Sequence, residues 1–278
     1  MMNPFPRSLV AADPLAWVGR LVLSGLSYLG GLGLMATSAP GVAFTRPGTA
    51  GAGSVVGELS WMLRLGMPLV ALVHVGIGSF LSMQSYFGGT FVEGTGAVVG
   101  VGLIRNVAPL MACLTLSGLL AARITPELRA WRRGGGAAPG ASLAGAAAPR
   151  LAAGMAAGVI LSLWGAAVGV LVGWQVSRTM MGVSTHSFFL MFWDMLWLRD
   201  IFGLFVKGVL FGLFSALFSC HEGLRGPADD GLDAVATAAC RAACLAAVAI
   251  LVINSGWFLL VYHAGPAFGP TLLAPPGS

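Results

Sequence analysis

The chain alternates between long apolar segments and short stretches that hold most of its charged residues. Five apolar segments are each long enough to cross the hydrocarbon core of a bilayer, which takes about 20 residues of α-helix. They lie at about 66–88, 97–122, 151–174, 201–220 and 240–262. This pattern predicts an all-α, polytopic membrane protein with about five transmembrane helices.

A further apolar segment at 15–36 is interrupted by Arg20 and several glycines. One interpretation is a cleaved signal peptide, because Arg7 precedes the segment and small residues follow it. The other is a helix lying in the membrane interface. Arg20 would fall inside the apolar core of a signal peptide, so we favour an interfacial helix followed by a loop at 37–58.

Composition agrees with a chain whose main solvent is lipid. Of its 278 residues, 57% are hydrophobic and 9% are charged, whereas soluble domains carry about 25% charged residues. The net charge of +5 comes from basic residues scattered among apolar runs. Membrane topology explains that scatter better than nucleic-acid binding does.

The basic residues fall mainly on one side of the predicted bundle. The connection at 123–150 carries five arginines, whereas the loop at 89–96 and the tail at 264–278 carry no basic residue. Because cytoplasmic loops are enriched in Lys and Arg, we predict that 123–150 and the N-terminus are cytoplasmic. With five spans, the C-terminus then lies on the opposite side of the membrane.

These features predict three parts: an N-terminal helix and loop (1–59), a transmembrane domain (60–263) and an uncharged tail (264–278). Catalytic patterns are missing from all three, since no Walker A, GxSxG or HExxH sequence occurs. The four cysteines form no CxxC pair, and the four histidines form no evident haem-ligating pair. We therefore expect no enzyme, cofactor or metal site, and ATP hydrolysis would come from a partner.

Two cations lie inside apolar segments, where a charge usually faces a cavity or a partner. Arg105 stands beside Asn106 in the second span, and it either faces such a cavity or extends toward the membrane surface. Lys207 follows Asp200 by two helical turns, so the two share a face but cannot pair along one helix. We infer a polar cavity near Lys207.

Glycines recur at four-residue spacing, which lets membrane helices approach closely. The third span contains Gly154, Gly158, Gly165, Gly169 and Gly173, and the fourth contains Gly208 and Gly212. We favour packing within one copy of the chain over pairing across a dimer.

An ordered set of residues over roughly 60–262 resembles the MlaE/YrbE permease family. HVGIGSFLSMQSYFGG (74–89) resembles the family's first span, with its polar end. Other residues at positions matching the family's motifs are Arg105, Pro109, Gly118, Glu127, Pro149 and Arg150. Asp200 with LFVKGVLFG (204–212), and the Gly-rich and Ala-Thr stretch at 223–238, continue the order.

The resemblance implies the permease subunit of an ABC-type phospholipid transporter in the bacterial inner membrane. Its partners would be a cytoplasmic ABC ATPase and a periplasmic MCE-domain protein. The permease would form a homodimer, or a heterodimer with a second permease, and lipid would lie between the two copies. The C-terminus would then be periplasmic.

Two sets of candidate site residues follow. The lipid-binding set is Gln84, Tyr86, Arg105, Asn106 and Lys207, whose cations would meet a phosphate or carboxylate headgroup. The ATPase-coupling set is Glu127, Arg129, Arg132 and Arg133. The first set can instead be interfacial anchors or internal hydrogen-bond partners. For the arginines of the second set, we favour charges that determine topology.

The sequence also departs from the family. Asn106, Ala108 and Leu119 stand where the family has Glu, Gly and Arg. More seriously, GGGAAPGASLAGAAAP replaces the family's acidic ATPase-docking segment in the 123–150 connection. The alternatives are therefore a non-transporting membrane scaffold or a divergent half of a heteromeric permease.

Overall fold

The computed structural model describes residues 14–45, 55–87, 95–134, 143–225 and 231–263. Within these ranges the chain is helical and forms no strand, which confirms the predicted all-α class. The α-helices are α1 (Pro14–Thr45), α2 (Val55–Phe87), α3 (Ala108–Arg133), α4 (Leu143–Met181), α5 (Thr185–Met195), α6 (Leu198–Leu224) and α7 (Leu232–Phe258). Short π-helical turns at Gly96–Val101 and Leu103–Val107 lead into α3, and a third, Leu259–His263, extends α7.

Six of the described helical segments are long and apolar enough to cross a membrane. They are Val18–Thr37, Val55–Phe87, Val98–Arg133, Gly145–Met181, Leu198–Leu224 and Leu232–Val261. The last five correspond to the five predicted spans, and the first belongs to α1. The interfacial placement of α1, the orientation of the termini and the domain boundaries stay predictions, and the tail at 264–278 lies outside the described residues.

Several helices extend beyond the ends that hydropathy predicts. Because α1 runs to Thr45 and α2 begins at Val55, the predicted loop at 37–58 was wrong at both of its ends. Likewise α3 continues to Arg133 and α4 begins at Leu143, so the 123–150 connection is largely helical. The length of an apolar segment reflects the thickness of the membrane core. A helix can continue beyond that core, because each residue added to a formed helix gains a backbone hydrogen bond.

Hydrogen bonds and ion pairs between α3 and α6 show that these two helices run parallel. Arg105, just before α3, pairs with Asp200 at the start of α6. Towards the other end, the Thr125 hydroxyl donates to the Ser219 carbonyl at 3.1 Å. Since spans two and four of an alternating bundle point the same way, this geometry agrees with the predicted order of crossings.

Glycines bring α4 into close contact with α6 on one face and with α2 on another. A Cβ added to Gly158 would overlap the Gly208 carbonyl, and one added to Gly78 of α2 would overlap the Gly169 carbonyl. Backbones therefore meet without intervening side chains. The predicted packing of these glycines within one copy is confirmed.

Buried apolar side chains form a core among α2, α3, α4 and α6. Its fully buried members include Met62, Leu116, Leu120, Ile124 and Leu161. A second cluster lies where the π-helical turns meet α5 and includes Val99, Leu103, Phe188 and Phe192. The second cluster supports the segment that carries Arg105.

Candidate functional site

The ion pair between Arg105 and Asp200 lies where α3 and α6 begin. Arg105 donates from Nε to Asp200 Oδ1 and from Nη2 to Oδ2, each at 2.9 Å. The Asp200 side chain is fully buried, whereas that of Arg105 is 30% exposed. The Trp197 amide also donates to Asp200 Oδ2, at 3.3 Å. Two parallel bonds to a buried carboxylate hold the guanidinium in one orientation.

Lys207 joins this pair through the backbone. Its Nζ donates to the Arg105 carbonyl at 3.0 Å, and its side chain is fully buried. Pro109, four residues after Arg105, has no N–H to donate to that carbonyl. Lys207 thus holds the backbone of the π-helical turn that carries Arg105. Its ammonium also lies 5.1 Å from the centroid of the Phe258 ring, within cation–π range.

We refer to Arg105, Asp200 and Lys207 as the cationic triad. The triad contains two cations and one carboxylate, so its formal charge is +1. Because Asp200 and Lys207 are fully buried, the exposed part of the triad belongs to the Arg105 side chain. The triad therefore presents a positive, hydrogen-bonding group suited to a phosphate or a carboxylate.

An apolar groove of about 500 Å³ adjoins the cationic triad. Its lining includes Ile104, which precedes Arg105, and Ile201, which follows Asp200. Leu204, one turn beyond Asp200, lines it as well, and the other walls come from α4, α5 and the short turn after α5. A charged group and an apolar groove thus lie side by side, as an amphipathic ligand requires.

The other predicted lipid-binding residues lie apart from these contacts. Gln84 and Tyr86 are exposed near the end of α2, where the Tyr86 ring packs against Phe87 at a centroid distance of 5.2 Å. No hydrogen bond or ion pair joins either residue to the triad within the part of the chain that the structure describes. Asn106 follows Arg105 and is partly buried, and its Oδ1 has no hydrogen-bond partner among the described residues.

The predicted ATPase-coupling residues lie at the opposite end of α3. Glu127 pairs with Arg150 at 3.2 Å, and Arg150 also pairs with Glu58 at 3.3 Å. Arg150 and Glu58 are buried, so one guanidinium ties α2, α3 and α4 together. Arg133, in the last turn of α3, is exposed.

Arg129 and Arg132 contact the C-terminal end of α6. Arg129 donates to the carbonyls of Glu222, at 3.4 Å, and Arg225, at 3.3 Å. Arg132 donates to the Leu224 carbonyl at 2.6 Å. The last carbonyls of a helix lack intrahelical partners, so these arginines cap α6 and join its end to that of α3.

The comparison with known families bears on the helices from α4 onward. The family model Permease MlaE matches residues 141–259. These residues are similar to the MlaE permease family. This confirms the resemblance for the part of the chain that contains Asp200 and Lys207. No curated protein sequence matches the chain.

The MlaE match does not include α2 or α3, which carry most of the predicted site residues. Arg105 and Glu127 both precede residue 141, where the match begins. Contacts link them to the matched region, since Arg105 binds Asp200 and Glu127 binds Arg150. Helices inside and outside the matched region therefore both contribute to the Arg105–Asp200 pair and to the Glu127–Arg150 pair.

Sequence reasoning missed the carboxylates that complete the charged contacts. The sequence pattern relates Asp200 to Lys207 and to the family resemblance but not to Arg105, and it does not single out Glu58 or Glu222. Glu222 is fully buried and accepts from Arg241 Nε at 2.8 Å and from Nη2 at 2.7 Å. One signal was available: alternating spans bring the starts of spans two and four to the same side, which would have paired Arg105 with Asp200.

Proposed function

We propose that this chain is the permease subunit of an ABC-type phospholipid transporter in the bacterial inner membrane. It would move lipid between that membrane and a periplasmic MCE-domain carrier, with ATP hydrolysed by a separate cytoplasmic ATPase. The observation that carries the proposal is the match of residues 141–259 to the MlaE permease family. Six helices able to span a membrane support it.

In this proposal the cationic triad receives the lipid headgroup. Arg105 contacts the phosphate, because its side chain is 30% exposed and its guanidinium is held in place by Asp200. Lys207 does not touch the lipid in this proposal. Its buried ammonium adds positive charge and holds the Arg105 backbone by a hydrogen bond to its carbonyl. Asn106 lies beside this contact, and the exposed Gln84 and Tyr86 edge the path by which lipid approaches.

We assign the ATPase contact to the opposite end of the bundle. Glu127 and Arg133 are exposed there and offer one charge of each sign. Arg129 and Arg132 then transmit movement rather than touch the partner, because they are bonded to the end of α6. At a rise of about 1.5 Å per residue, α6 spans roughly 33 Å between these carbonyls and Asp200. The helix therefore links the ATPase end to the triad.

A second candidate function is a non-transporting membrane scaffold, and a further alternative is the divergent second half of a heteromeric permease. The observation that favours it is GGGAAPGASLAGAAAP, a low-complexity stretch in the 123–150 connection. It offers no side chains of the acidic kind on which the resemblance places ATPase docking. A scaffold would keep the family's helices while losing that contact.

Purification from the native membrane in mild detergent, followed by mass spectrometry of proteins and lipids, separates the two functions. The transporter proposal expects an ABC ATPase, an MCE-domain protein and bound phospholipid in stoichiometric amounts. It also expects a second permease copy, identical or different. Recovery of the chain without an ATPase at any detergent concentration would overturn the transporter proposal in favour of the scaffold.

A further inference from the structure

The groove beside the cationic triad has the dimensions and lining of a ligand site. Its volume of about 500 Å³ lies within the range of about 300 to 1,000 Å³ typical of such sites. Its lining residues are apolar and include Ala167, Leu171 and Trp193. Leu171 and Trp193 are 55% and 65% exposed, so the groove opens to the outside of the bundle.

The surroundings of the groove indicate what can fill it. Leu171 belongs to a helix that is long and apolar enough to span a membrane, so the groove opens towards hydrocarbon chains. A bare apolar groove would accept any such chain without preference. This one begins beside Arg105 and Asp200, through Ile104 and Ile201. An occupant with a charged head and an apolar tail fits both surfaces.

The charge at the edge of the groove determines which head is favoured. The triad carries a formal charge of +1, from two cations and one carboxylate. The flanking Asp194 and Arg199 have opposite charges and leave this sum unchanged. A headgroup with net negative charge is therefore favoured over a zwitterionic one, which brings its own ammonium close to the same guanidinium.

We propose that the groove and the cationic triad form one site for a single anionic phospholipid, with its phosphate at Arg105 and an acyl chain along Ala167 and Leu171. The inference rests on the proposed lipid transport for its role, and it deepens that proposal by naming the class of lipid. Residues of one copy of the chain are enough to line the groove. In this proposal the lipid therefore lies within one copy rather than between two.

The test is native mass spectrometry of the full chain in detergent, titrated with dipalmitoyl phosphatidylglycerol or dipalmitoyl phosphatidylcholine. These lipids share their tails and differ in net charge. We expect the phosphatidylglycerol to bind about tenfold more tightly, as one charge-assisted hydrogen bond in a site of net positive charge allows. Equal affinities for the two lipids would overturn the inference.

Two kinds of variant separate the tail from the head. Ala167→Trp and, independently, Leu171→Trp fill the groove from exposed positions on α4, and each should lower the affinity for both lipids by about tenfold or more. Arg105→Gln should remove the preference for phosphatidylglycerol and leave weak binding of both lipids. The matched control is Cys244→Trp, at an exposed position of α7 outside the groove, which should bind both lipids as wild type does.

Wild-type binding by both groove-filling variants, each eluting as a folded species in gel filtration, would overturn the inference. So would an unchanged preference in Arg105→Gln. The proposed function is tested separately, by ATPase and MCE-domain protein in the native purification. If the chain binds phosphatidylglycerol selectively but purifies without those partners, this lipid site is retained and the transporter proposal is rejected. If the partners are present but binding is not selective, the transporter proposal is retained and this site is rejected.

Discussion

The two ends of the helical bundle bury carboxylates in opposite charge environments. At the end where α6 begins, Asp200 pairs with Arg105, and Lys207 donates to the Arg105 carbonyl. At the other end of the bundle, Arg150 is shared by Glu58 and Glu127. The first group has a formal charge of +1 and the second of −1. We call the second group the acidic clamp.

The difference shows how the same residue types form a candidate binding site at one end and a structural contact between helices at the other. In the acidic clamp, the Trp61 indole donates to Glu58 at 2.6 Å and Arg123 covers the Trp61 ring at 4.1 Å. Arg123 also lies 4.0 Å from Glu127, so it contacts both Trp61 and Glu127. Its positive charge balances the formal charge of −1 of the acidic clamp. The cationic triad keeps a formal charge of +1 beside an open groove.

The largest expected effect is at the acidic clamp. Arg150→Met leaves Glu58 buried without its cation, and removal of one partner of a buried pair costs about 3–5 kcal/mol. Thermal and chemical unfolding in detergent should show this loss. Arg64→Met, at an exposed position on the same α2 helix as Glu58, should change stability by no more than about 0.5 kcal/mol. Equal stability of the two variants would show that the clamp does not hold the helices.

The next effect compares one chemical change at the two ends. Asp200→Asn and Glu222→Gln each remove a buried carboxylate charge, and each should lower stability by about 1–3 kcal/mol. Only Asp200→Asn raises the charge of the triad, from +1 to +2. It should therefore strengthen the preference for phosphatidylglycerol over phosphatidylcholine in native mass spectrometry, while Glu222→Gln leaves it unchanged. A similar change of preference in both variants would contradict a special role for the triad.

A smaller effect tests why Lys207 is buried. Pro109→Ala restores an amide four residues after Arg105, so the Arg105 carbonyl should depend less on the ammonium. In a double-mutant cycle with Lys207→Met, the two substitutions should be coupled by about 1 kcal/mol, with Lys207→Met costing less in the Pro109→Ala background. Strictly additive unfolding free energies would show that Lys207 does not replace the missing donor.

The smallest effect concerns the cap of α6. Arg132→Ala removes the donor to the Leu224 carbonyl and should cost about 0.5–1.5 kcal/mol. Arg133→Ala, one residue later and exposed, is the matched control and should change stability less. In the proposed function, Arg133→Ala instead weakens recovery of the ATPase. If Arg133→Ala lowers stability and Arg132→Ala instead weakens recovery of the ATPase, then Arg133 caps α6 and Arg132 contacts the ATPase.

The sequence predicted the helical class and the five later spans because burial in lipid imposes a length of apolar residues. Glycine spacing predicted close packing but not that α4 would face α6 and α2 at once. The missed features share a cause: the Arg105–Asp200 pair joins positions 95 residues apart, and hydropathy says nothing about distant partners. Only the alternating direction of the spans could have predicted the Arg105–Asp200 pair.

The predicted loop at 37–58 failed for a different reason. Gly, Ala, Ser and Pro in that stretch indicate weak helix propensity, yet α1 reaches Thr45 and α2 already begins at Val55. Near the start of α2, Glu58 is buried against Arg150. That tertiary contact stabilises a helix end that local propensity does not predict.

The central claim is that the cationic triad handles lipid during transport, and ATP-dependent phospholipid transfer measures this most directly. The natively purified complex would be reconstituted in liposomes, with wild type compared with Arg105→Gln and Lys207→Ala. We predict that each variant keeps its partners but transfers phospholipid about tenfold more slowly or worse, because the headgroup loses charge stabilisation. Transfer at the wild-type rate by both variants, with assembly intact, would contradict the account.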